Sequence, residues 1–193
     1  MAPQHKLLVT DRAGKPMVAH VVDNLLAAPG RPLIVVVGHR QDEVRAALAG
    51  RPVLLVEAPD WDAGLSASLR AGIAAVPEDA RAAIVGLGDM PLVTARVIER
   101  LVAAYDPNEG RLIVAPTYNG ELGNPVLWDR RFFPEMMALG GDRGARVLLE
   151  RHAGHVATVA MDDDAVLRDV DTAEQLAGLP GFLQPARAAT TPR

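Results

Sequence analysis

The chain has 193 residues, a net charge of −4 and no cysteine. This length accommodates one α/β domain with a full core. The acidic balance argues against a general nucleic-acid partner, which needs a basic surface. The lack of cysteine excludes disulfides, thiolate metal ligands and cysteine nucleophiles, and it fits a reducing cytoplasm. No apolar run approaches the ~20 residues that span a bilayer and no secretory signal pattern is recognisable, so we expect a cytoplasmic protein without a membrane partner.

Strand-like and helix-like segments alternate along the chain. Three apolar, β-branched runs without polar alternation predict strands buried on both faces, at 32–37, 52–56 and 82–87. Further strands are predicted at 112–115, 125–128 and 155–159, and apolar residues at helical spacing predict helices at 17–26, 44–48, 65–76, 97–105 and 143–151. This alternation with short connections predicts βαβ units, and therefore an α/β fold with a mostly parallel sheet.

The last part of the chain changes character. The segment 172–175 matches a capping box and predicts a final helix. From Pro180 onward the composition turns to proline, alanine, threonine and arginine. We therefore expect a folded domain over residues 1–179 and a disordered tail over residues 180–193.

The most informative motif covers residues 84–93. An apolar strand ends in Gly88-Asp89, and Met90-Pro91 turns the chain away. This pattern predicts the Asp89 carboxylate at the carboxyl end of a strand, where open α/β sheets bind their ligands. There the carboxylate either carries a divalent cation that bridges phosphates or caps the following helix.

A second acidic motif lies at 168–172. Asp169 and Asp171 are one residue apart on an extended segment, so their side chains point the same way. They precede a helix N-terminus, which stabilises nearby carboxylates without any metal. In the alternative interpretation, Asp171 and Asp89 hold one Mg²⁺ between them, and phosphates and water complete its coordination.

Other polar residues are candidates for substrate contacts. Lys6 precedes an apolar run and can reach a phosphate as a point charge, although such a lysine is ordinarily only solvated. Ser66 and Ser68 at a helix start can donate to an anion, or can simply cap the helix. Asn124 lies in a Gly-Pro turn, where its amide can read a polar ring edge or serve only the turn.

Taken together, eight segments in this order and spacing carry a family resemblance: 6–8, 14–18, 37–39, 60–72, 88–93, 123–126, 141–146 and 169–172. They resemble the molybdenum cofactor cytidylyltransferases of the MobA-like NTP transferase family, over nearly the whole folded part of the chain.

The resemblance implies a three-layer Rossmann-like nucleotidyltransferase that transfers CMP from CTP to molybdopterin and releases pyrophosphate. It implies Mg²⁺ held by Asp89 and Asp171, with Lys6 and Asp89 as the catalytic residues. A molybdoenzyme or its chaperone is the implied protein partner. The implied substrate-binding residues are Ser66, Ser68, Arg70 and Asn124. The chemistry is consistent with this set of residues, because phosphoryl-type transfer needs positioning and charge neutralisation rather than a nucleophilic side chain.

The sequence departs from the family at its start. The family begins with a strand and a Gly-rich nucleotide-binding loop, and residues 1–6 correspond only to the end of that signature. We therefore expect either a misplaced start codon or a genuine truncation. If the truncation is genuine, CTP binding should be impaired and the sheet should have a gap or a substitute strand. Two alternatives stay open: a guanylyl- or sugar-nucleotide transferase of the same fold, and a non-catalytic module that binds a cofactor or partner.

Overall fold

A computed structural model describes residues 6–11, 13–141, 144–171, 175–176 and 179. In this part of the chain the helices are α1 (Met17–Leu26), α2 (Gln41–Ala47), α3 (Leu65–Ala74), α4 (Ala95–Ala104), α5 (Phe133–Met137) and α6 (Arg146–Arg151). The strands are β1 (Leu33–Val37), β2 (Val53–Glu57), β3 (Ala82–Val85), β4 (Ile113–Tyr118), β5 (Glu121–Leu122), β6 (Val126–Asp129) and β7 (Val156–Ala160). No helix in these ranges is long and apolar enough to cross a membrane.

The strands form two sheets. β1 and β2 pair in parallel, with Leu33 opposite Val53. The second sheet has the order β3-β6-β4-β5, and β7 pairs in parallel with β4. Because β6 runs antiparallel to both β3 and β4, the strands β3, β4 and β7 share one direction. The sheet is therefore parallel in its strand directions except at β6 and the short β5.

Helices cover both faces of the second sheet. Ile113 and Trp128 point to one face and pack in a cluster with residues of α3, α5 and α6. Val114 follows Ile113 on β4, and Leu127 precedes Trp128 on β6. Both point to the other face and pack against α4. This alternation of side chains along β4 and β6 produces the expected three layers.

The first strands are less buried than their sequences predict. Four of the five residues of β1 and all four of β3 are half-buried rather than buried on both faces. Among the described residues, β1 pairs only with β2 and β3 only with β6, so each leaves one edge without a partner strand. Within the described ranges the strands therefore lie in two separate sheets.

The end of the folded part packs onto α1. Val170, Leu176 and Leu179 form a buried cluster with Met17. The predicted final helix is described only at Gln175 and Leu176, which are helical, and the predicted tail lies outside the described residues.

Candidate active site

Three carboxylates converge beside the loop that follows β3. One oxygen from each of Asp89, Asp169 and Asp171 lies within 4.8 Å of the others. The backbone N–H of Val170 donates to the backbone carbonyl of Asp89 at 2.9 Å, which fixes the two segments against each other. Val170 is buried, so its two neighbours emerge together on the opposite side of the extended chain. We call these three residues the acidic cluster.

Local packing holds the Asp89 loop in place. Met90 and Val93 are buried in the core beside α4. From α1, the side-chain amide of Asn24 donates to the carbonyls of Pro91 and Val93, at 3.1 Å each. The N-cap of α4 is Thr94, so Asp89 does not cap this helix. Of the two interpretations of Asp89, the cap is therefore wrong.

Lys6 lies among the carboxylates. Its Nζ is 2.7 Å from Asp89 Oδ2 and 2.5 Å from Asp171 Oδ1. Burial acts to lower the pKa of the Lys6 ammonium, but the hydrogen bonds and charges of Asp171 and Asp89 outweigh it and raise that pKa above its usual value. The ammonium is therefore charged at neutral pH and offsets part of the repulsion between the carboxylates.

The acidic cluster fits a divalent cation. Asp89 Oδ1, the oxygen turned away from Lys6, is buried and has no hydrogen-bond partner. A buried acceptor without a partner is costly, and a cation at this oxygen would remove the cost. Carboxylate oxygens are also the ligands that Mg²⁺, Mn²⁺ and Ca²⁺ prefer. Asp89, Asp169 and Asp171 are the residues that would hold the ion.

Two of the predicted substrate-binding residues support a neighbouring loop. Ser66 is 1% exposed, and its backbone N–H donates to the Gly141 carbonyl at 3.2 Å. Arg70 donates to the Leu139 carbonyl at 2.6 Å and to Ser66 Oγ at 3.3 Å. The N-cap of α3 is Gly64, so Ser66 is not the helix cap. These contacts give both residues a structural role, and contact with substrate stays a prediction for each.

The other two predicted substrate-binding residues are Ser68 and Asn124. Ser68 is half-buried within α3. The backbone N–H of Asn124 donates to the Val166 carbonyl at 2.8 Å. The preceding Gly123 has to be glycine, because a Cβ there would lie 2.3 Å from the same carbonyl oxygen. This contact joins the Asn124 turn to the segment that leads to Asp169.

The sequence predicts Asp89 and Asp171 at one metal site and gives Asp169 no role there. The available signal was the spacing of the two aspartates around an apolar residue, which puts both carboxylates on one side of an extended chain. Asn24 was missed altogether, because nothing local in α1 indicates a contact with residues 91–93.

Comparisons with known proteins bear on the fold and the family. Rv0371c of Mycobacterium tuberculosis H37Rv, solved in complex with manganese, is 28% identical, has a TM-score of 0.75 and matches over 88% of each chain. A nucleotidyl transferase from Methanothermobacter thermautotroptrophicus is 26% identical, with a TM-score of 0.74, over 87% of this chain and 80% of its own. Both confirm the expected α/β nucleotidyltransferase fold.

One similar protein is named as an oxidoreductase rather than a transferase. Nicotine blue oxidoreductase of Paenarthrobacter nicotinovorans is 28% identical over 171 residues, which are 84% of this chain and 82% of that protein.

Residues 1–156 match the model of the MobA-like NTP transferase domain. The match covers most of the sequence, and the family resemblance predicted from the motifs is confirmed. This chain belongs to the MobA-like NTP transferase domain family.

Proposed function

We propose that this nucleotidyltransferase transfers CMP from CTP to molybdopterin and releases pyrophosphate, with a divalent cation at the acidic cluster. The observation that carries the proposal is the convergence of Asp89, Asp169 and Asp171 with Lys6, within a family of NTP transferases. The assignment of CTP and molybdopterin depends on the motif resemblance, above all on residues 60–72 and 141–146.

The chemistry divides between the cation and the chain's own residues. A bound Mg²⁺ or Mn²⁺ would neutralise and orient phosphate oxygens, as in other phosphoryl-transfer sites. Asp89 supplies the most enclosed carboxylate, with its side chain 18% exposed, whereas the side chain of Asp171 is exposed. We infer that Asp89 provides most of the metal affinity and that Asp169 and Asp171 complete the set.

Lys6 has two successive roles in this proposal. Its ammonium binds one oxygen each of Asp89 and Asp171, two of the carboxylates that would hold a cation. A divalent cation and Lys6 therefore compete for these carboxylates. Once displaced, the protonated side chain is available to the triphosphate, where a positive charge stabilises the phosphoryl transition state.

The remaining assignments follow from position. Ser68 and Asn124 are proposed to contact the nucleotide or pterin, and Ser66 and Arg70 to shape the adjoining loop. The product, molybdopterin carrying CMP, would pass to a molybdoenzyme or its chaperone in the cytoplasm.

The test is release of pyrophosphate by the purified chain with molybdopterin, Mg²⁺ or Mn²⁺, and either CTP or GTP. We expect release with CTP, little with GTP, and none from Asp89→Asn. Preference for GTP would replace the proposal with a guanylyltransferase. Lack of binding to any nucleotide by calorimetry would favour the non-catalytic module.

An oxidoreductase is the second candidate function. It is favoured by the similarity to nicotine blue oxidoreductase, which extends over 84% of this chain. The test incubates the chain with nicotine blue and NADH or NADPH and follows cofactor oxidation by absorbance. Turnover that Asp89→Asn leaves unchanged would support the oxidoreductase, whereas lack of turnover would remove it.

A further inference from the structure

A tight hairpin turn joins β4 to β5. Tyr118 and Glu121 are paired across it, and Asn119 and Gly120 form the two-residue loop between them. The φ angles of 50° at Asn119 and 84° at Gly120 are both in the left-handed region. Asn-Gly is the dipeptide that such a turn favours, because these two residue types adopt positive φ at the lowest cost. Neither residue has a part in the proposed transfer.

Both loop residues are open to solvent. Asn119 and Gly120 are exposed, and a Cβ placed on Gly120 would meet no neighbouring atom within 4 Å. In the part of the chain that the structure describes, the Asn119 side chain and the Gly120 backbone N–H make no hydrogen bond. The side-chain carbonyl carbon of Asn119 and the backbone nitrogen of Gly120 are therefore neither shielded nor held by a neighbour.

An asparagine in this setting can react with its own backbone. The backbone nitrogen of the following residue attacks the side-chain carbon Cγ, and ammonia is the leaving group. A following glycine leaves this approach unhindered, because it has no Cβ. This reactivity is one reason why asparagine counts among the thermolabile residues of proteins.

The other three asparagines of the chain lack this combination. Asn24 lies within α1, where its carboxamide donates to two backbone carbonyls of the loop 91–93. Asn108 is followed by Glu109, whose backbone N–H donates to a neighbouring aspartate at 3.3 Å. Asn124 is followed by a proline, which has no N–H to act as a nucleophile. Asn119 is thus the asparagine with both a free carboxamide and an unhindered nucleophile.

We propose that Asn119 is a site of spontaneous deamidation, with water as the co-reactant. The Gly120 nitrogen forms a bond to Asn119 Cγ, the Cγ–Nδ2 bond breaks, and ammonia leaves with the proton that the Gly120 nitrogen gives up. One water molecule then opens the resulting succinimide at either of its two carbonyls. One opening yields aspartate, and the other yields isoaspartate, in which the main chain runs through Cγ. The step involves no oxidation or reduction, and it does not depend on the proposed transfer.

The products alter the hairpin. Either product places a carboxylate in the loop next to the exposed Glu121, and like charges so close repel each other. Isoaspartate also adds a carbon to the main chain of a loop whose two-residue length sets Tyr118 opposite Glu121. We expect this insertion to loosen β5, whose Leu122 packs against the core. Deamidation thus couples the age of the chain to the stability of this hairpin.

The test is incubation of the full chain in mildly alkaline buffer, which promotes deprotonation of the attacking backbone nitrogen, followed by tryptic peptide mapping. The tryptic peptide 112–130 carries both Asn119 and Asn124, so tandem mass spectrometry follows the reactive residue and an internal control together. We expect Asn119 to convert with time into more isoaspartate than aspartate, with one ammonia released per chain, while Asn124 stays intact. In water enriched in heavy oxygen, the new carboxyl group should carry the label.

Two variants make the test specific. Asn119→Gln should keep its amide, because attack on the longer side chain has to close a six-membered ring, which forms far more slowly. Asn108→Gln is the matched control, and it should leave the conversion of Asn119 as in the wild type. Urea denaturation of aged samples should show a lowered midpoint for the wild type and for Asn108→Gln, but not for Asn119→Gln.

An intact Asn119, under conditions in which the isolated peptide 112–130 deamidates, would overturn the proposal. Equal conversion of all four asparagines would overturn the argument from the hairpin. Formation of aspartate without isoaspartate would show direct hydrolysis of the side chain and would overturn the succinimide route. Deamidation is measured without nucleotide or metal, so failure of the proposed transfer leaves this inference standing.

Discussion

The ammonium of Lys6 lies 2.7 Å from Oδ2 of Asp89, while Oδ1 of the same carboxylate is buried without a partner. One half of the carboxylate is thus satisfied by a cation that belongs to the chain, and the other half faces inward unsatisfied. The ammonium offsets part of the repulsion between Asp89 and Asp171, and the oxygen without a partner is where a divalent ion would gain by binding.

Competition between Lys6 and metal gives the first prediction. Lys6→Gln should raise Mn²⁺ affinity about two- to fivefold, because an exposed ion pair of this kind contributes up to about 1 kcal/mol. The same substitution should lower turnover with CTP, because the triphosphate loses a positive charge. Titration calorimetry with Mn²⁺ measures the first effect. Lys15→Gln is the matched control, since Lys15 pairs with Asp23 instead, and a fall in Mn²⁺ affinity for Lys6→Gln would contradict the competition.

The contact between Tyr105 and the buried Asp129, at the end of β6, gives a prediction about stability. Asp129 is 6% exposed, and its Oδ2 accepts a hydrogen bond of 2.6 Å from the Tyr105 hydroxyl. Burial and this hydrogen bond raise the pKa of Tyr105 to about 12. Tyr105→Phe leaves the carboxylate oxygen without its donor, so we expect a loss of about 1–3 kcal/mol in the free energy of unfolding. Urea denaturation checks it, with Tyr118→Phe as a control that should stay near wild type; equal losses from both would reject a specific role for the pair.

Stability at acid pH should depend on Asp23. Its carboxylate accepts from Arg51 at 2.6 Å and pairs with Lys15 at 2.7 Å, and these contacts lower its pKa to about 2, against 3.8 when unperturbed. A depressed pKa in the folded state means that the stabilisation is present above about pH 4 and is lost as pH falls toward 2. Because the side chain is 37% exposed, solvent screening reduces the effect to about 1 kcal/mol.

Asp23→Asn should therefore flatten the dependence of unfolding free energy on pH across this window. Thermal or urea unfolding at several pH values from 2 to 5 measures the slope. Asp79→Asn, at an exposed acid away from this pair, should leave the slope as in the wild type. An unchanged slope in Asp23→Asn would show that the pair does not contribute.

Much of this architecture could be predicted from local pattern. The order of strands and helices follows hydrophobic periodicity, and the motif at 88–91 placed Asp89 correctly in a loop after a strand. The burial of β1 and β3 was overestimated, because a run of apolar residues does not reveal whether both edges of a strand are paired. The five-residue helix α5 was not predicted, since so short a segment carries little periodicity.

The site residues show the same division between local and long-range information. Lys6 and Asp171 were identified as candidates, and the structure brings both to Asp89. Ser66 and Arg70 were expected to face substrate, whereas their contacts hold a loop more than sixty positions away in the sequence. A serine at a helix start looks the same in sequence whether it caps, binds or supports, and only the tertiary contact distinguishes these roles.

The most direct test of the acidic cluster is Mn²⁺ binding to the metal-free chain, followed by electron paramagnetic resonance or calorimetry. The wild type should bind a single Mn²⁺, Asp89→Asn should weaken this binding at least about tenfold, and Asp79→Asn should bind as the wild type does. Circular dichroism should show that all three proteins remain folded. Equal Mn²⁺ affinity of folded Asp89→Asn and wild type would contradict the assignment of Asp89 as the principal metal ligand.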